Sequence, residues 1–311
     1  MKKTTCPLCK SSQYSVVEKY HQIGAPEYGC RLVHCETCGH CFTDIHHEVD
    51  FNKLYQDGQY ELMDTRQTLF GKVLSFDDKI VIRQLNRLRP QKGAMLDFGC
   101  GKGAFIFRAA HYGWQVKGIE TAKKRARFGV EIYGVNISTD EYLSGSISGG
   151  PFDVITLFHI IEHLSQPIEL LQNLIEDNLA KNGWVVIEVP RFDSLQSKIA
   201  GGRWIHLDPP FHVSHFSTKS IMKLINDVGL EVKVSGQFSI HNGLLGMVQS
   251  VMSVFGYRKM LIAELKLRRT TRLLAAVAMV LPVAVLLESF AILVGRGGVI
   301  RLYCQCARDL S

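Results

Sequence analysis

Met95-Leu96-Asp97-Phe98-Gly99-Cys100-Gly101-Lys102-Gly103-Ala104 runs from an apolar strand into a helix, and the fold is read from it. Glycines at 99, 101 and 103 allow a tight turn and let a ligand approach the backbone, and a helix N-terminus favours negative groups. The string also satisfies G-x-G-x-x-[GA], with Ala104 last, so a dinucleotide turn and a purely structural turn are both open on glycines alone. The next strand ends in Gly118-Ile119-Glu120, nineteen residues beyond Gly101, where a carboxylate can accept hydrogen bonds from both hydroxyls of a ribose. Asp97 lies two residues before the first glycine, where a dehydrogenase turn usually has an apolar residue, and a carboxylate there suits a ligand carrying an ammonium group. Cys100 reads as a small packing residue rather than a nucleophile.

Outward from this turn, from Ala94 onward, apolar strands alternate with amphipathic helices, the pattern of a parallel α/β sheet. The strands expected are Ala94–Phe98, Gln115–Ile119, Val154–Phe158, Trp184–Val189, Glu231–Phe238 and Val299–Gln305, with a weak one at Val135–Ile137. Helices are expected at Ile168–Leu179 and Ser220–Val228, where apolar residues recur at helical spacing. The chain divides into a Cys- and His-rich module (1–45), a linker with helices (46–92) and a long α/β domain (93–311). Residues 241–296 form a basic and apolar helical insertion before the last strand.

In order along the chain, LDFGCGKG at 96–103, Phe152-Asp153-Val154 through His159-Ile-Ile-Glu162-His163 to Pro167, Leu179 to Gly183 and on to Pro190, and Trp204 to His215 resemble the motifs of class I S-adenosylmethionine-dependent methyltransferases, in their small-molecule branch. The resemblance covers about residues 93–238. It implies a Rossmann-like seven-stranded sheet ending in an antiparallel hairpin. S-adenosylmethionine would bind at the carboxyl ends of the central strands, on Asp97, Gly99, Gly101, Gly103 and Glu120. Sheet geometry places a ligand at that switch point independently.

Methyl transfer to a hydroxyl or carbon acid needs a base, and histidine titrates in the right range. His159 and His163 are four apart and would share a face on one helical turn beside the strand end. His206, His212 and His215 fall in a Pro-interrupted loop. His163 is the first candidate base, with His159 and His212 next. Glu162 would orient a ring or touch substrate. Each histidine has a purely structural reading too, and H-x-x-E-H at 159–163 also has the form of an inverted zinc-protease string.

Cys6-Pro-Leu-Cys9 and Cys35-Glu-Thr-Cys38-Gly39 are two knuckles with twenty-five residues between them, able to give four thiolates to one tetrahedral zinc. With four protein ligands the zinc is expected to be structural. Cys30, His34, His40 and Cys41 are possible substitutes for one ligand, and a redox pair is the alternative. Some sugar and natural-product methyltransferases resemble this chain in carrying such a segment, but the long extra C-terminal domain of the sugar C-methylating group is not expected here, which counts against a sugar substrate.

Arg258, Lys259, Lys266, Arg268, Arg269 and Arg272 precede Leu273–Leu287, fifteen residues without a polar side chain. A span needs about twenty apolar residues. The strands on either side of the insertion must pair on one side of a membrane, so an interfacial helix, a re-entrant turn at Pro282 or a hairpin with Leu244–Phe255 is expected instead of one crossing. A buried helix or substrate lid is the alternative.

With 46% apolar and 21% charged residues the composition is globular, and the +7 net charge permits anionic partners without requiring nucleic acid. The opening residues lack a secretory h-region, so the cytosol or the cytoplasmic face of a membrane is expected. The function expected is S-adenosylmethionine-dependent methyl transfer to a small or lipid-linked metabolite, such as a glycan precursor. The alternatives are a nicotinamide-dependent oxidoreductase and a non-catalytic zinc-ribbon scaffold on a degenerate methyltransferase core.

Overall fold

The structure is a computed structural model, and it describes residues 4–17, 29–45, 64, 66–267 and 270–307. Two sheets organise it. The larger contains β4 (Ala94–Phe98), β5 (Gln115–Ile119), β6 (Ile137–Ser138), β7 (Phe152–Phe158), β8 (Leu179–Pro190), β10 (Leu230–Gly236) and β11 (Val299–Cys306). Its order is β10-β11-β8-β7-β4-β5-β6. β4, β5, β6, β7 and β8 pair in parallel, and β11 runs antiparallel to both β8 and β10. The expected seven-stranded sheet with its terminal hairpin is the observed one, and the last strand pairs with β10 as the insertion argument required.

Apolar residues in the central strands alternate between two faces, so both sides of the sheet need cover. Met95, Val154 and Val186 face α1 (Leu69–Leu88) and α2 (Ala104–His111) through Val81, Ile82, Leu85, Phe105 and Ile106. Leu96, Ile155 and Ile187 face α4 (Pro167–Asn178) and α6 (Thr218–Asp227), with α3 (Lys123–Phe128) lying between β5 and β6 in the chain. The expected linker with helices thus includes α1 as a core helix of the sheet. Residues 46–63 lie outside the described residues.

The smaller sheet has the order β1-β2-β3-β9, from β1 (Tyr14–Val16), β2 (Cys30–Cys35), β3 (Cys41–Ile45) and β9 (Ser214–His215). Its fourth strand comes from the α/β domain. Cys6, Leu8, Val33, Cys35 and Phe42 share one buried cluster with Phe216, Ile221 and Leu224, so the cysteine module packs on the face covered by α4 and α6.

Between β10 and β11 lie α7 (Leu245–Val254), α8 (Leu261–Leu267) and α9 (Thr271–Leu293), with α5 (Leu195–Ala200) earlier in the chain. Met247, Val248 and Met252 of α7 share a buried cluster with Leu273 and Ala284 of α9. α9 runs unbroken through Pro282. The side chains of Lys266, Arg268 and Arg269, part of the basic run, lie outside the described residues.

Asp153 ties the entry of the sheet together: it accepts from the Ala94 N–H at 2.8 Å and pairs with Arg89 at the end of α1. Asp153→Ala strands the Ala94 donor in a partly buried place, so unfolding free energy measured by denaturant titration should fall by about 1–3 kcal/mol. An unchanged midpoint would mean that this clamp is redundant.

Candidate active site and cysteine cluster

β4 and β7 are parallel neighbours, so their carboxyl ends bring the glycine turn and the 159–163 segment to one edge. The contact is direct: a Cβ on Gly99 would lie 2.0 Å from Ile160 Cδ1. Gly99, Gly101 and Gly103 all have positive φ, at 74°, 55° and 71°, which other residues adopt only at a cost. The Gly99 and Cys100 N–H groups donate back to Ile119 O, folding the turn over the end of β5. Cys100 packs there: a Cβ on Gly118 would meet its Sγ at 2.4 Å. Around Gly101 a Cβ would meet nothing within 4 Å, which leaves the room a ligand needs at the turn.

Asp97 is buried and accepts from the Thr156 hydroxyl at 2.6 Å. Burial outweighs that bond and pushes its carboxyl up to about 7, with Asp78 and Glu120 adding to the rise. A cation placed beside it would reverse the shift, the behaviour wanted of a group meeting an ammonium. Glu120, also buried, accepts from the Ala122 N–H at 2.8 Å through one oxygen. These residues suit S-adenosylmethionine: an open glycine turn, an acid for the amino group and an acid at the end of the second strand for the ribose.

The histidines sit differently from the helical face expected. His159 has φ 56° and stands before the single 3₁₀ turn Ile161–His163, so it shares no helix with His163. Its ring lies between two carboxylates, 2.9 Å from Glu188 Oε1 and 3.3 Å from Glu162 Oε1, and Asn242 Nδ2 is 2.7 Å from its Nε2. Burial alone would lower its pKa, but Glu162 and Glu188 outweigh it and hold the ring up to about 10. An imidazolium has no lone pair to take a proton, and its Nε2–H requires the Asn242 amide to present its oxygen rather than its nitrogen at that contact.

His163 and His212 are the reverse. His163 Nδ1 is 2.9 Å from Phe211 O, and His212 Nδ1 is 2.7 Å from His206 O. A carbonyl only accepts, so each ring donates from Nδ1, and in the neutral ring Nε2 is then the unprotonated nitrogen. The two rings meet edge to face at 4.6 Å between centroids. Burial lowers both pKa values, so both are neutral at neutral pH. Glu162, His163 and His212 each bring one donor atom into a group within 4.8 Å of one another, a trio that could hold a cation as well as move a proton. His206, whose Nε2 is 3.3 Å from Asn242 O, is driven down to about 3 by burial and by His159 and His212 nearby.

Glu188, Arg301, Asn242 and Thr43 were not singled out from sequence. Glu188 and Arg301 left a trace: each is the one charge in an otherwise apolar strand core, and in register they face each other across β8 and β11. Asn242 and Thr43 left none, because their contacts are long-range.

At the other sheet, Cys6, Cys9, Cys35 and Cys38 bring four sulfurs within 4.8 Å of one another, with Cys6–Cys38 at 3.6 Å and Cys9–Cys35 at 3.5 Å. Those are not disulfide distances. Tetrahedral zinc with Zn–S bonds of about 2.3 Å sets its sulfurs about 3.8 Å apart, so the cluster fits the ion. The two knuckles close alike, with Lys10 N–H to Cys6 O and Gly39 N–H to Cys35 O, at residues of φ 60° and 76°. Cys30, His34, His40 and Cys41 stand outside this group.

Sheet order, glycine turn and strand-end acids together define the S-adenosylmethionine-dependent methyltransferase fold. Residues 73–233, just over half of the chain, match a family described as a methyltransferase domain, and the chain belongs to it. Among curated relatives, the mitochondrial ubiquinone biosynthesis O-methyltransferase of Schizosaccharomyces pombe is 33% identical over 118 residues, 34% of this chain and 40% of that protein. The ubiquinone biosynthesis O-methyltransferase of Caulobacter sp. (strain K31) is 31% identical over 101 residues, 30% of this chain and 39% of that protein. The matches thus span about two fifths of these relatives' length. A SAM-dependent methyltransferase of Archaeoglobus fulgidus is 16% identical, with a TM-score of 0.44, over 76% of this chain and 99% of that one.

The buried charges make stability depend on pH in two windows. Burial favours protonated Glu162 and Glu188, but His159 next to both, and Arg301 next to Glu188, hold each down to about 2 against an ordinary 4.5. Their contribution is present above about 4.5 and lost as pH falls through 2. For His159, raised from 6.5 to about 10, the contribution is full below 6.5 and lost as pH rises through 10. Thermal midpoints should fall in both windows, and His159→Asn should flatten the alkaline one. An alkaline decline of equal size in wild type and variant would place its source elsewhere.

Proposed function

We propose that the protein transfers a methyl group from S-adenosylmethionine to a hydroxyl of a small or lipid-linked metabolite, such as a glycan precursor, with His163 as general base. The observation carrying this reading is the pair of rings whose Nδ1 atoms are held by backbone carbonyls, which leaves Nε2 as the basic nitrogen, on the segment that follows the strand next to the glycine turn. The names of the curated relatives, both O-methyltransferases, support an oxygen acceptor.

Bound at the turn, S-adenosylmethionine supplies a methyl group on a sulfonium. Asp97 would hold its ammonium and Glu120 its ribose, and the turn at 99–103 would let it approach the backbone. His163 Nε2 takes the acceptor's hydroxyl proton as the oxygen attacks, and the Phe211 carbonyl keeps the ring in the tautomer that can do so. The ionised Glu162 beside it favours the imidazolium that forms. His159, a cation pinned by Glu162 and Glu188, stabilises negative charge on the acceptor oxygen, while His212 stands next in line as proton relay. Four thiolates, of Cys6, Cys9, Cys35 and Cys38, hold a structural zinc.

A lipid-linked acceptor is supported by the join between site and insertion. Asn242, which contacts His159, lies in the Ile240–Leu244 turn that leads straight into α7. α9 buries Leu273, Ala284 and Ala291 against the protein, yet its other side is also apolar: Met279 is 78% exposed, Leu286 72% and Leu293 85%. By length and composition it is one helix able to cross a membrane. Both its ends dock on the same body, Leu273 on α7 and Glu288 through the Gly298 N–H, so an in-plane position fits better than a crossing. Exposed Arg258, Lys259 and Arg272 would meet anionic headgroups on the cytoplasmic face.

Glu120→Ala should weaken S-adenosylmethionine binding tenfold or more, since hydrogen bonds to a charged group contribute about 1.5–3 kcal/mol. His163→Ala should leave binding unchanged and lower turnover by about a hundredfold or more. Equilibrium dialysis finding tight dinucleotide binding and none for S-adenosylmethionine would sink this reading in favour of an oxidoreductase; turnover untouched by His163→Ala would pass the role to His212.

In vesicle sedimentation, the protein should pellet with phosphatidylcholine–phosphatidylglycerol vesicles and be partly released by high salt, which screens the headgroup attraction. Met279→Glu with Leu286→Glu should abolish pelleting. Wild-type protein left wholly in the supernatant would mean that the outer face of α9 meets something other than lipid.

A further inference from the structure

The histidine loop is completed by the cysteine module. β3 and β9 pair antiparallel, Cys41 opposite His215 and Phe42 opposite Ser214. Beyond those pairs Thr43, 3% exposed, makes three contacts with the loop. Its N–H donates to Val213 O at 2.9 Å, its hydroxyl to His212 O at 2.7 Å, and the same oxygen is 2.8 Å from His215 Nε2. A hydroxyl has one proton. With that proton on the His212 carbonyl, the oxygen must accept from His215 Nε2–H, so the three groups are satisfied only together.

The backbone that Thr43 grips also carries the two pinning bonds of the acceptor site. The Val213 N–H donates to Glu162 O at 2.9 Å, fastening the loop to the 161–163 turn. One residue upstream is His212, whose ring donates to His206 O; one further is Phe211, whose carbonyl takes the His163 Nδ1 proton. The 211–212 and 212–213 peptides meet at the His212 Cα, so turning the second changes the φ and ψ that aim the Phe211 carbonyl and the His212 ring. Without the hydroxyl, the His212 carbonyl and His215 Nε2 are left buried and unpaired, and the loop must turn to find other partners.

We propose that Thr43 is a positioning residue for the acceptor site: by clamping the His212 carbonyl it keeps His163 and His212 in the Nδ1–H tautomer. This rests on the reading of those rings as the proton-handling groups. The cysteine module is thereby part of the active-site scaffold, acting through one hydroxyl some 169 residues distant in sequence from its carbonyl partner.

The test uses the full-length, zinc-loaded chain with isotope-labelled histidine and reads ring tautomers by long-range nitrogen–proton NMR at neutral pH. Signals are assigned through His163→Gln and His212→Gln. Wild type should show the Nδ1–H tautomer at both rings. Thr43→Val should lose it, giving averaged tautomers, while S-adenosylmethionine affinity and zinc content stay unchanged; Thr43→Ser should restore it. Thr43→Ala, which keeps the N–H bond to Val213, is the second variant should the valine chain not fold. Unchanged tautomers in either variant, a serine variant behaving like valine, or a wild-type spectrum already showing Nε2–H at these rings would overturn the proposal. If the tautomers follow Thr43 yet His163→Ala turns over normally, the base assignment fails and the positioning role stands.

Discussion

Glu188 is buried near the carboxyl end of β8, where the parallel part of the sheet meets its antiparallel hairpin, and must be paired, because an uncompensated carboxylate there would be strongly destabilising. Its partners are Arg301 on β11 and His159 at the end of β7, and His159 in turn reaches Glu162. Four charges of alternating sign thus run from the antiparallel edge of the sheet to the acceptor site. The chain holds His159 in a left-handed backbone conformation to make the link, a local cost accepted only where surrounding contacts over-determine it.

That ladder divides the histidines into two kinds. The ring caught between carboxylates is held as a cation, and the rings pinned by backbone carbonyls are neutral, with Nε2 unprotonated. Residue type is the same throughout; the partner sets the chemistry. It also explains why the last strand and the helical insertion before it matter to a site built at the other strands' ends: β11 brings Arg301, and the insertion brings Asn242.

The cysteine module is tied to the same place. Its knuckles are locally closed by their own backbone bonds, but β3 needs an edge partner and takes β9, the short strand that follows His212. A sheet edge left unpaired invites other chains. Pairing it within the chain joins the cysteine cluster to the strand that follows the histidine loop, around the shared core of Phe42, Phe216 and Ile221.

Much of this was legible in sequence for a reason of range. Cys-x-x-Cys knuckles, a glycine turn after an apolar strand and alternating strand and helix patterns are set by neighbours a few residues apart, so spacing alone specified the cysteine cluster, the turn at 99–103, the acids at 97 and 120 and the strands of the sheet. Apolar character also marked α9, since hydropathy needs no partner to be read. Which face of α9 is covered, which histidine is charged and what holds the loop at 212 were decided by tertiary contacts, His159 with Glu188 29 positions away and Thr43 with His215 172 positions away among them. His159 and His163 looked like helical neighbours because a four-residue spacing implies a helix only when the backbone is one; Glu188 and Glu162 held His159 out of it. Periodicity reports the local conformation, whereas a buried charge takes its protonation state from whatever the fold places beside it.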